Sequence, residues 1–101
     1  MSRLLTDEEI TRQLADLPDW SRDGDTIRAS YEAPDFLAGI RLVQEVALLA
    51  ESMDHHPDID IRWRTVTFAL STHSEGGLTQ LDIELAPRIS AAARAQGATL
   101  T

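Results

Sequence analysis

The apolar positions of this chain change period several times, and each change marks an element boundary. Leu5, Ile10, Leu14 and Leu17 recur at helical spacing around Thr6-Asp7-Glu8-Glu9, a capping box in which Thr6 caps and Glu9 reaches back. Leu5 before the cap and Ile10 inside it suit a hydrophobic staple, and Pro18 closes the segment, so a helix to about Ala15 is predicted. Trp20 to Glu32 alternates instead: Ile27, Ala29 and Tyr31 against Arg28, Ser30 and Glu32, with Asp23-Gly24 as a hairpin turn. Phe36 to Met53 returns to helical spacing, with Phe36, Leu37, Ile40, Val43, Ala47, Ala50 and Met53 as the apolar stripe and Asp35 as cap or first-turn acid. Pro57 excludes His56 from the α region, so this helix stops close to His55.

Beyond Pro57 the period is two. Ile59, Ile61 and Trp63 alternate with Asp58, Asp60 and Arg62 as a half-buried strand. Val66, Phe68 and Leu70 alternate with Thr65, Thr67, Ala69 and Ser71 as a second strand, the hairpin turning near Trp63-Arg64. A last helix opens at a second capping box, Thr79 with Asp82, and packs Leu81, Leu85, Ile89 and Ala92 or Ala93. Pro87 removes the bond to the Ile83 carbonyl at a cost of about 3 kcal/mol, which predicts a kink or break, and Gly97 is a plausible stop. The element order is helix, two strands, helix, two strands, helix.

Composition narrows the classes. With 101 residues and 43% hydrophobic positions the chain is expected to form one domain spanning 1–101, burying roughly 65% of its unfolded surface. The expectation is a cytoplasmic protein with no membrane span and no signal peptide, and the absence of cysteine excludes disulfide and thiolate chemistry. The net charge of −8 argues against nucleic acid or an anionic membrane as partner, because a phosphate-tracking surface needs clustered cations. All nine cations are Arg, which rules out Schiff-base catalysis by lysine.

The chemistry concentrates between Glu51 and Asp82, which hold all three histidines. Imidazole titrates near neutrality and is the usual carrier of general acid–base catalysis. Glu51 and His55 lie one helical turn apart, within mutual reach, while His56 points elsewhere. His73 sits at a strand exit, so all three imidazoles can meet at one rim of a sheet. Duller readings stand beside this one: Asp82 as the acid of a helix cap, Trp63 as core, Glu51 as a solvated helix residue. Three His and one carboxylate also make a tolerable zinc set, although no helical His-x3-His or Cys pair supports it.

In spacing the stretch resembles the pterin-4a-carbinolamine dehydratases, also called 4a-hydroxytetrahydrobiopterin dehydratases. Glu51, His55-His56-Pro57, Trp63, His73 and Asp82 match that signature without a slip, and Ser71-Thr72-His73 and Gly76-Gly77-Leu78-Thr79 also look like the family's. The similarity runs from Trp20 to the last helix. One departure is Ile59, where many relatives carry Trp, which alters one wall of the pocket.

The resemblance implies an α+β fold of two layers, a four-stranded antiparallel sheet with the helices on one face, assembled at least as a homodimer and up to a homotetramer. It implies a pterin substrate and a dehydration that needs neither metal nor cofactor. The catalytic set it carries over is His55, His56, His73 and Asp82. His55 and His73 would act as acid and base, His56 would position substrate, and Asp82 would orient His73. Glu51 would orient His55 or bind the pterin N–H groups; Trp63 and the backbone at Ser71 and Thr72 would complete substrate binding. The competing class is a non-catalytic dimerisation or assembly protein on the same fold. Retention of all three histidines favours the enzyme.

Overall fold

Local signals place every element but the last strand of a computed structural model that describes residues 3–101. The order is α1 (Asp7–Leu14), β1 (Ser21–Asp23), β2 (Thr26–Glu32), α2 (Phe36–Met53), β3 (Asp58–Arg62), β4 (Thr65–Leu70), α3 (Gln80–Ala95) and β5 (Thr99–Leu100). Both capping boxes form: Thr6 accepts from the Glu9 N–H, and Asp82 accepts from the Thr79 N–H. The antiparallel sheet runs β1-β2-β4-β3, and β5 adds a fifth, two-residue strand beside Tyr31 and Glu32 of β2.

Register puts the core on one face. Ile27 pairs with Leu70, Ala29 with Phe68 and Tyr31 with Val66, and all six side chains are buried beneath the helices. Full burial of such side chains contributes roughly 1.5–3 kcal/mol each for the larger ones. Ile10 of α1, Leu42 and Val46 of α2 and Leu85 and Ile89 of α3 close over them. The other face carries Arg28, Ser30, Thr67, Asp58, Asp60 and Arg62, with Ser30 and Thr67 hydrogen-bonded across the β2–β4 pair at 2.7 Å. A concavity of about 520 Å³ lies against this polar face, lined among others by Trp20, Arg28, Ser30 and Thr67, away from the histidines.

Three expectations about packing are corrected. The fully buried stripe of α2 is Ala38, Leu42, Val46 and Ala50 with Gly39; of the expected positions Ala50 belongs to it, Val43 and Met53 pack half-buried against the core, and Ala47 is exposed. At Gly39 the helix lies close on the sheet: a Cβ there would stand 3.4 Å from Val66 Cγ2. Phe36, Leu37 and Leu48 are left exposed. β3 is exposed along its whole length, being the outermost strand, so Ile59 and Ile61 lie at the edge of the apolar face without a helix above them. Finally, α3 continues through Pro87 without a break. Its ring sits on the solvent side, while Leu85, Ala86, Ile89 and Ser90 anchor the helix before and after it.

Candidate active site

The end of α2 aims the first histidine. Asp54 adopts the left-handed conformation (φ 49°), a region that Asp tolerates better than most residues, and the His55 N–H bonds back to the Ala50 carbonyl at 3.0 Å. That turn folds His55 inward against the start of α3, leaving it 7% exposed. There His55 Nε2 meets Asp82 Oδ1 at 2.6 Å, a short contact typical of charge-assisted bonds.

Asp82 is fully buried and fully engaged. Its Oδ2 accepts from the Thr79 N–H and from the Thr72 hydroxyl, both at 2.9 Å, while Oδ1 faces His55. One carboxylate therefore serves as helix cap and imidazole partner together. Thr72 reaches it because a single β-bridge to Gly77 closes the loop between β4 and α3. Thr79 completes the cluster, its hydroxyl 2.7 Å from that of Thr72. In the sequence Thr79 reads as a cap and as the end of the Gly76-Gly77-Leu78-Thr79 turn. Its tie to Thr72 crosses the Gly77 bridge, so no periodic signal announces it.

The remaining residues divide. His56 Nε2 lies 2.7 Å from Glu51 Oε2 on the exposed surface, and His73 is exposed at the start of a short 3₁₀ turn, His73–Glu75, directly after Thr72. The expected pairings are thus exchanged: Glu51 holds His56 rather than His55, and Asp82 holds His55 rather than His73. The αL turn at Asp54 causes both, since it swings His55 away from the α2 surface on which Glu51 stands. Thr72 does not offer its backbone to a ligand, because its N–H bonds to the Gly77 carbonyl and its C=O accepts from Glu75 and Gly76. Ser71, half-buried, stands between the end of β4 and Thr72.

Trp63 is not brought to this rim. It occupies the first position of the two-residue β3–β4 turn with φ 53°, is 73% exposed, and has the Arg64 guanidinium 4.9 Å from its ring. From Asp58 to this tip β3 covers roughly 16 Å at strand rise, so Trp63 lies at the opposite end of the sheet from the histidines. It is neither core nor a wall of this chain's site. Among the described residues no group of three or more His, Cys, Asp or Glu side chains is arranged to hold a metal ion.

Fold and site together define a class: a small α+β domain that presents a buried imidazole–carboxylate pair and two further histidines at one end of an antiparallel sheet. The chain belongs to the pterin 4 alpha carbinolamine dehydratase family, whose model matches residues 3–92. A Nocardia farcinica protein provisionally named pterin-4-alpha-carbinolamine dehydratase is 59% identical over 93 residues, 92% of this chain and 98% of that protein. A Mycobacteroides abscessus protein of the same provisional name is 59% identical over 86 residues, 85% of this chain and 92% of its own. Among solved structures, a Brucella melitensis protein described as a transcriptional coactivator/pterin dehydratase superposes with a TM-score of 0.86 at 34% identity, over 90% of this chain and 99% of that one. A pterin dehydratase-like protein described as a RuBisCO assembly factor in the alpha-carboxysome shares the fold, with a TM-score of 0.60 at 17% identity, over 73% of this chain and 86% of its own.

Proposed function

We propose that this protein dehydrates 4a-hydroxytetrahydropterin to the quinonoid dihydropterin, as a hydro-lyase acting in tetrahydrobiopterin recycling in the cytoplasm. The C4a–O bond breaks, the N5 proton leaves, and the N5 electron pair forms the new C=N bond as water departs. Hydroxide leaves poorly unless protonated, and a group titrating near neutrality serves either half of the reaction at a gain of about 10² to 10⁴ in rate. The observation that carries this reading is the Thr72–Asp82–His55 network, which ties the residue before His73 to the residue before His56 through one buried carboxylate. On this reading His55, His56 and His73 handle protons, Glu51 steadies His56, and the backbone of Ser71 meets the pterin edge.

The test is the decay of freshly generated 4a-carbinolamine, followed with wild type, His55→Ala and His73→Ala. Acceleration by wild type and a loss of about a hundredfold or more in each variant are expected. Equal decay in all samples, matching the spontaneous rate, would leave only the non-catalytic binding role. Self-association belongs to the same reading. Exposed Phe36, Leu37 and Leu48 on α2 and the unpaired edge of β3 with Ile59 and Ile61 suit a second copy of the chain, because scattered monomers seldom leave so much apolar surface beside an open strand.

A further inference from the structure

A proton count through the buried cluster leaves one arrangement. A carboxylate has acceptor sites only, so each of its three partners donates to Asp82. The Thr72 hydroxyl spends its proton on Asp82 Oδ2, at 2.9 Å. It therefore accepts from Thr79, whose own oxygen takes the Leu81 N–H at 3.3 Å and whose proton is free to point at Thr72. Donors so chained polarise one another in a low-dielectric interior. At the far oxygen, His55 Nε2 carries a proton directed at Asp82. Among the described residues the other ring nitrogen has no protein partner and is not sealed in, since Arg64 Nε is the one fully buried side-chain polar atom left without one.

Resting on the dehydratase reading, we propose that the Thr79–Thr72–Asp82 chain locks His55 as its Nε2–H tautomer, so that Nδ1 is the working nitrogen and takes the N5 proton of the substrate. Before the step Nδ1 presents a lone pair. After it the ring is an imidazolium with Nε2–H still on Asp82, and the N5 pair has become the C=N bond. The proton for the departing hydroxyl comes from an exposed histidine, His56 or His73. Thr72 and Thr79 are positioning residues: they hold the carboxylate that holds the ring, and neither touches substrate.

Asp82→Asn separates this from a purely structural role. The amide oxygen still accepts from Thr79 and Thr72, so the cap of α3 survives. Its NH₂ then faces His55 and must donate, which forces the ring proton onto Nδ1 and removes the lone pair. Long-range ¹⁵N–¹H spectra at neutral pH are expected to show Nε2–H for His55 in wild type and Nδ1–H in Asp82→Asn, with native circular dichroism in both. Turnover should fall by about a hundredfold or more with KM little changed. Thr72→Val should lower kcat about tenfold with the Nε2–H tautomer kept, because Asp82 still has acceptor sites only, while Thr72→Ser restores kcat. A wild-type His55 with its proton on Nδ1, or Asp82→Asn with wild-type tautomer or wild-type kcat, overturns the proposal. The spectra need no substrate, so a wild type that shows the Nε2–H ring yet fails to accelerate carbinolamine decay refutes the dehydratase reading and not the lock.

Discussion

Asp54 shows how much a single backbone conformation controls. Its φ of 49° reverses the chain between α2 and β3 and turns His55 toward Asp82. A β-branched side chain in that region meets its own carbonyl, at a cost of about 1–2 kcal/mol, whereas glycine enters it freely. Denaturant titration of Asp54→Val should therefore show that loss, and Asp54→Gly should not be less stable than wild type. Tyr31 is a second single-residue handle. Burial pushes its hydroxyl up from 10.0 to about 12, while its O–H donates to Asp19. Folding thus favours the protonated form, so the contribution is complete below pH 10 and is lost as pH rises through 12. As the chain has one tyrosine, tyrosinate absorbance reads that group alone, and it should appear together with unfolding in this window rather than before it.

Elements respond to tertiary support in ways that propensity does not foresee. α3 keeps its course through Pro87 because packed residues on both sides hold it, yet the Ile83 carbonyl still lacks the amide proton that any other residue would supply. Pro87→Ala should raise unfolding free energy by roughly 2 kcal/mol, the restored helical bond outweighing the lost chain stiffness, as a thermal or denaturant melt would show. A melt unchanged or lowered would mean that α3 already adapts fully to the ring. The same element explains the site, since its N-terminal box places Asp82 where both the cap and His55 reach it.

For the molecule as a whole, the unpaired β3 edge and the exposed side of α2 are surfaces without partners among the described residues. Leu37 and Leu48 stand three turns apart on the same side of α2, both well exposed. Light scattering at micromolar concentration should give at least twice the 11.2 kDa of one chain, and Leu37→Glu with Leu48→Glu should lower that mass. A wild-type monomer would remove the self-association proposal. No helix of the described residues is long and apolar enough to cross a membrane.

What the amino-acid sequence settled by itself was local: two capping boxes, the Phe36–Met53 helix to the residue, the turns at Asp23-Gly24 and Trp63-Arg64, and the family signature. These depend on spacing and on conformational limits of Pro, Gly and capping side chains, which act within a few residues. Tertiary structure alone decided which carboxylate meets which imidazole, which side of α2 is buried, and that Trp63 stands at the far end of the sheet. His55 and Asp82 are 27 residues apart, and their contact exists because an αL turn and the seating of α3 fix two directions at once. No one-dimensional period encodes the angle between them.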